Sequence, residues 1–286
     1  MTDAAFDLYL PTTLTTSVVF ASPHSGRDYP DGFLRRSILD RRMIRSSEDA
    51  FVDTLFSSAP QFGAPLLAAR VPRAYVDLNR AADELDPAVI ENIRRPAHNP
   101  RVASGLGVIP RVVANGRPIY RGKLSLEEAR LRLETHWHPY HGALQDLLTD
   151  ARQRFGEAVL IDCHSMPHEA VDCVVRTGTK RPDVVLGDRF GASASVEIVE
   201  RVEAILTDAG LRVVRNTPFA GAFVTQNYGR PSRGQHAVQI EIDRALYMDE
   251  KRIEPRADFA AFQSLIAGVV AQITDIGRSA MPLAAE

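Results

Sequence analysis

The amino-acid sequence predicts a layered α/β fold. Short runs of β-branched and aliphatic residues recur along the chain, and longer segments with helical spacing separate them. Size agrees, because 286 residues with 45% apolar side chains can bury a substantial core.

Taken in order, Ser17–Ala21 reads as a buried strand that stops at the loop Ser22-Pro23-His24-Ser25-Gly26. Glu48–Phe56 has helical spacing, with Phe51, Leu55 and Phe56 on one side. Leu66–Val71 and Ala74–Leu78 read as strands. Arg80–Tyr120 is rich in Pro, Gly and Asn and reads as a long irregular excursion, the kind of loop that is more often functional than idle. Ser125-Leu126-Glu127-Glu128 is a capping-box signature. Behind it Leu126, Leu133, Trp137, Tyr140, Leu144 and Leu147 keep helical spacing, and Pro139 is expected to kink that helix. Ala158–Cys163 is the clearest strand, ending at His164-Ser165-Met166-Pro167. Val184–Leu186 and Arg212–Val214 read as strands around a helix, Ala194–Ala209. Ala237–Asp243 alternates as a strand, and Asp258–Ile276 is a closing amphipathic helix.

Composition narrows the function classes. The net charge is -2 with no basic block, so neither nucleic acid nor an anionic membrane surface is an expected partner. Cys163 and Cys173 alone make no disulfide framework, which favours a reducing compartment, the cytoplasm. Residues Met1–Phe20 carry Asp3 and Asp7 and lack a basic segment before an apolar run, so no export signal is expected. No apolar stretch is expected to reach the ~18 residues of a membrane span.

Two strands end in a histidine followed by serine, His24 and His164. Ligands in open α/β sheets sit beyond the carboxyl ends of strands, so two imidazoles there can share a metal. Zinc takes His and carboxylate ligands, three in a catalytic site. Glu48, Asp49 and Asp53 are the nearby acids. Asp49 and Asp53 lie four apart, which on a helix gives a shared face, one to ligate and one to orient a ligand. Arg230 and Glu241 follow the second histidine. An arginine fork suits capture of a carboxylate, and a glutamate suits a general base. Alternation puts Gln239, Glu241 and Asp243 on one face of their strand, which a solvated strand would also explain. His136, His138 and His141 read as packing or surface residues of the proline-bearing helix, and Cys163 as a small core residue.

Several ordered pieces resemble the N-formylglutamate amidohydrolase family. They include Ser22-Pro23-His24-Ser25-Gly26, Val76-Asp77-Leu78-Asn79-Arg80, Trp137-His138-Pro139-Tyr140-His141 and Asp162-Cys163-His164-Ser165-Met166-Pro167. Asp49–Phe56, Asn227-Tyr228-Gly229-Arg230-Pro231, His236–Ile242 and Tyr247-Met248-Asp249-Glu250 complete the set. The resemblance covers nearly the whole length, so residues 1–286 are expected to form one catalytic domain. It implies zinc-dependent hydrolysis of N-formylglutamate to formate and glutamate, a late step of one histidine-degradation route. Another N-acyl or N-formimidoyl amino acid, or a C-terminal peptide residue, is the alternative substrate.

The order of parts is also similar to zinc carboxypeptidases and aspartoacylases, which implies a three-layer α/β sandwich around a central mixed sheet. Those families run His, acidic ligand, Asn-Arg, His, then a catalytic Glu. Their acidic ligand stands three residues after the first His, where this chain has Arg27. Asp49 is therefore the expected ligand, with Glu48 as alternative. The implied site has one zinc on His24, Asp49 and His164, Glu241 as base and Arg73 at the oxyanion. Arg80 and Arg230 are expected to clamp the substrate carboxylates, assisted by Asn79 and Asn216.

Overall fold

A computed structural model describes residues 4–93, 99–175 and 180–278. Its central strands are β1 (Phe6–Tyr9), β2 (Val18–Ser22), β3 (Leu66–Ala69), β4 (Ala158–Met166), β5 (Val184–Gly187), β6 (Val213–Arg215) and β7 (Gln235–Asp243). The described residues join them into a mixed seven-stranded sheet in the order β1-β3-β2-β4-β7-β5-β6. Strands β3, β2, β4 and β7 run parallel, while β1 is antiparallel to β3 and β5 to β7. The helices are α1 (Asp31–Arg36), α2 (Val52–Leu55), α3 (Pro100–Ala103), α4 (Leu126–Arg132), α5 (His138–Phe155), α6 (Val196–Asp208), α7 (Phe223–Tyr228) and α8 (Phe259–Ile276).

Strands β4 and β7 are buried along their whole lengths, as parallel strands covered on both faces must be. Alternation sends Val159, Ile161 and Cys163 of β4, with Val238, Ile240 and Ile242 of β7, into a core that α6 and α8 cover. Leu160 and Ala237 face a second core that α5 covers. The result is three layers: helices, mixed sheet, helices. Each fully buried Val, Ile or Leu contributes roughly 1.5–3 kcal/mol relative to an exposed one. By the same alternation Asp162, His164, Gln239 and Glu241 share the second face, nearer the carboxyl ends. The pairing register sets His164 beside Glu241 and Asp162 beside Gln239.

A loop between β3 and α3 carries Arg73, Asp77, Asn79 and Arg80, and the α4–α5 segment holds it from outside. The buried Arg132 guanidinium lies 4.0 Å from the Tyr75 ring centroid and donates to Tyr75 O at 3.1 Å and Tyr120 Oη at 2.7 Å. Trp137 Nε1 donates to Arg80 O, and His141 Nε2 to Leu78 O, both at 2.9 Å. Burial lowers the His141 imidazole to about 4, so it is neutral, and its Nδ1 accepts from Tyr228 Oη at 2.9 Å.

Four expectations change. Ala74–Leu78 is a turn, not a strand: Tyr75 N bonds Pro72 O, and Val76 and Leu78 are apolar because they fill the second core. Glu48–Phe56 is helical only over Val52–Leu55, because Phe51 takes a left-handed φ of 67° and leaves Asp49 outside the helix. Pro139 falls in the first turn of α5, where its missing N–H is harmless, and a π-turn at Leu133–Trp137 joins α4 to α5. Helix α8, with 18 residues, is long and apolar enough by composition to cross a membrane. Its Ile266, Val269, Val270 and Ile273 nevertheless pack into the first core. Cys163 is free and buried, whereas the Cys173 side chain and residues 94–98 of the long excursion lie outside the described residues.

Candidate metal centre and active site

A cavity of about 630 Å³ opens at the carboxyl ends of β2, β4 and β7, as expected for a parallel sheet. His24 enters it two residues after β2 ends. His164 projects from β4 itself, which runs on to Met166 instead of stopping at Cys163, because β7 supplies pairing partners to Asp243. Asp49 is delivered by the loop before α2, where its backbone N–H bonds His24 O at 3.0 Å.

These three side chains meet. Asp49 Oδ2 lies 2.9 Å from His164 Nδ1 and 3.5 Å from His24 Nδ1. One ligand atom from each falls within 4.8 Å of the others, a grouping able to hold a metal ion. His24 Nε2 donates to Asp77 Oδ1 at 2.7 Å, which fixes the tautomer and leaves Nδ1 facing Asp49. That Nδ1 is buried without a hydrogen-bond partner among the described residues. An orphaned buried imidazole nitrogen aimed at a carboxylate and a second imidazole is what a metal ligand looks like. Behind His164, Asp162 Oδ1 lies 3.0 Å from its Nε2, an ion-pair contact and not a hydrogen bond. Histidines held by carboxylates behind them are the usual second layer of a zinc site. The donor set therefore fits zinc.

Electrostatics separate the acids. Burial pushes the Asp49 carboxyl up, but the bond from His164 and the nearby charges of His24 and Arg244 outweigh it and hold it well below the usual range. Burial likewise opposes ionisation of Asp77, and His24 and Arg73 override it, holding Asp77 well down. Burial alone would lower His164; Asp162, Asp49 and Glu241 raise it well above its ordinary value. Glu241, with Gln239 Nε2 donating to its Oε1 at 2.8 Å, is raised to about 7. Burial is the main cause, with Asp49 adding to it and His164 and the arginines opposing. A carboxyl near neutrality beside a firmly ionised one matches a proton shuttle beside a ligand.

A family description, N-formylglutamate amidohydrolase, matches residues 16–248. The chain belongs to the N-formylglutamate amidohydrolase family. It is 31% identical over 240 residues to an N-formylglutamate deformylase of Pseudomonas putida, covering 82% of each chain. It is 30% identical over 266 residues to an N-formylglutamate deformylase of Pseudomonas aeruginosa, covering 91% of this chain and 94% of that one. A solved N-formylglutamate amidohydrolase of Ralstonia eutropha JMP134 superposes with a TM-score of 0.89 at 36% identity, covering 96% of this chain and 99% of that one.

In this member of the N-formylglutamate amidohydrolase family, the cavity gathers most of the predicted residues. Arg73 donates to Asp77 Oδ2 at 3.0 Å and borders the histidine pair. Asn79 Nδ2 lies 3.2 Å from His164 Nε2, and Arg80 is buried in the wall. Two predicted residues stand elsewhere. Asn216 spends its amide on Asp188 and on the Asp188 and Phe190 N–H groups, at a left-handed φ of 62°. Arg230 is exposed and donates to Gln226 O and Gly229 O, satisfying carbonyls at the end of α7. Neither lines the cavity. Glu48 is held by Arg45 at 2.6 Å and Tyr29 Oη at 3.1 Å, away from the histidines. Asp53 pairs with Arg27 at 3.1 Å instead of orienting a ligand.

Sequence patterns give Asp77, Asp162, Arg101, Gln239 and Arg244 no role of their own, yet all but Asp162 line the cavity. Asp162 was findable, because it stands two before His164 on the same strand face. Arg244 carries no such signal, since the 3-10 turn Arg244–Leu246 after β7 aims it.

Proposed function

We propose that this chain is a zinc-dependent hydrolase that cleaves N-formyl-L-glutamate to formate and L-glutamate, with one zinc on His24, Asp49 and His164. The observation that carries the reading is the convergence of these three ligand atoms beside Glu241 in one cavity. Membership of the family, and the two Pseudomonas relatives that are N-formylglutamate deformylases, support the substrate. The reading takes the chain as one catalytic domain acting in histidine degradation.

A zinc bound there would polarise the formyl carbonyl and acidify a water molecule. Glu241 accepts the proton of that water as its oxygen bonds to the formyl carbon. Arg73 faces the oxygen that gains negative charge. Glu241 then hands the proton to the amine as the carbon–nitrogen bond breaks, releasing formate and glutamate. Asn79 and Arg80 hold the α-carboxylate, whose orientation sets the attack geometry.

The test is formate release from N-formyl-L-glutamate by metal-analysed protein, run beside N-acetyl- and N-formimidoyl-glutamate and a peptide. Release from N-formylglutamate that is abolished by chelation and restored by zinc is the expected result. Preference for a larger acyl group, or for the peptide, overturns it.

A further inference from the structure

Among the described residues, four arginines line the cavity: Arg73, Arg80, Arg101 and Arg244. Three are already engaged. Arg73 pairs with Asp77, Arg244 with Asp49, and Arg80 donates Nε to Leu106 O at 2.9 Å and Nη1 to Asn79 O at 3.0 Å. The Arg101 guanidinium has no hydrogen bond or ion pair among the described residues. Its backbone is nevertheless fixed. Asn99 Oδ1 caps the Arg101 and Val102 N–H groups, and Leu106 N bonds Arg101 O at 2.9 Å. The Leu106 peptide thus anchors both arginines, one through its N–H and one through its carbonyl.

The two differ in depth. Arg80 is 8% exposed, beside Asn79 and the histidine pair, whereas Arg101 is exposed at the rim. Both guanidiniums line the one cavity; burial lowers the Arg80 proton affinity, Asp77 opposes that, and the charges of Arg73 and Arg101 add to it. Two like charges on one wall of the cavity, Arg80 on the loop and Arg101 on α3, the latter without a counter-charge among the described residues, form an anion-seeking surface. In an N-acyl glutamate the α-carboxylate branches beside the amide nitrogen, and the side-chain carboxylate lies two methylenes further out. The inner cation matches the first and the outer cation the second.

Resting on the proposed activity, we propose that Arg101 binds the side-chain carboxylate and makes the enzyme selective for N-acyl amino acids with an acidic side chain. Arg101 is a specificity residue and takes no part in proton transfer. Because it sits at the rim, its attraction is screened by salt.

The experiment compares N-formyl-L-glutamate with N-formyl-L-glutamine, its neutral isostere, on wild type, Arg101→Gln and Arg101→Lys. Arg101→Gln should lower kcat/KM for the glutamate substrate by roughly 10–100-fold, mainly through KM, as loss of a charge-assisted hydrogen bond does. It should leave the glutamine substrate within about twofold, and Arg101→Lys should recover part of the loss. Equal losses on both substrates, or none on either, overturn the assignment. Calorimetric binding of L-glutamate against L-glutamine to the same proteins reads the discrimination without turnover. Arg101-dependent glutamate binding with no formate release overturns the activity and keeps the site. Formate release with Arg101-independent binding does the reverse.

Discussion

Arg244 Nη2 donates to Asp49 Oδ1 at 2.9 Å, while the other oxygen of that carboxylate faces His24 and His164. Arg244 is itself buried, with Nε donating to Ser165 Oγ at 3.2 Å and Nη1 to Ser46 O at 3.4 Å. The guanidinium thus occupies one oxygen of Asp49 and leaves its neighbour to the histidines, the geometry of a one-oxygen ligand. Arg244→Met should weaken zinc binding by roughly 10–100-fold, the usual effect of losing a group that orients a ligand. Arg244→Lys should lose less. Competition with a chelating dye reads the affinity directly, and an unchanged value in Arg244→Met denies Arg244 this role.

The acids near His24 should rank steeply. Asp49→Asn should lose most of the zinc, as should His24→Ala and His164→Ala, since a three-ligand site tolerates no such loss. Asp53→Asn should keep full zinc content, because Asp53 pairs with Arg27, which is half exposed, outside the cavity. Metal content of the four purified variants settles the order. Zinc loss in Asp53→Asn would mean that the helix-face pairing of Asp49 with Asp53 governs the site after all.

Activity should rise with pH across the Glu241 titration. A general base works deprotonated, so its contribution is present above its pKa and lost as pH falls through it. Burial chiefly sets that pKa at about 7 without a metal. A cation bound on His24, Asp49 and His164 stabilises the carboxylate and moves the acid limb to lower pH. The kcat/KM profile should therefore show an acid limb at or below about pH 7 that disappears in Glu241→Gln. An acid limb unchanged in that variant would assign it to another group.

The parts of the site that sequence patterns revealed are those that a strand aims. His24 and His164 stand at or near the carboxyl ends of β2 and β4, and period-two alternation puts Glu241 on the cavity face of β7. Asp49 was legible only as a nearby acid. The helical reasoning that paired it with Asp53 fails because Phe51 turns left-handed between them. Arg230 and Asn216 carry the right chemistry in the wrong place, since arginine and asparagine also satisfy loop carbonyls and N–H groups. Val76 and Leu78 mimic a strand because a buried turn needs apolar residues too. Arg101 and Arg244 sit on a short helix and a 3-10 turn, whose direction depends on long-range contacts and leaves no periodic trace.

The most direct test of the zinc hydrolase account is formate release from N-formyl-L-glutamate by Glu241→Gln at zinc content matched to wild type. The amide keeps nearly the same shape, so the fold and the metal should remain. It cannot accept a proton, so kcat should fall by roughly 10²–10⁴ with little change in KM. Turnover within about twofold of wild type at full zinc content would contradict the assignment of Glu241 as the base. Loss of zinc in this variant would make Glu241 a ligand and contradict the His24, Asp49 and His164 centre.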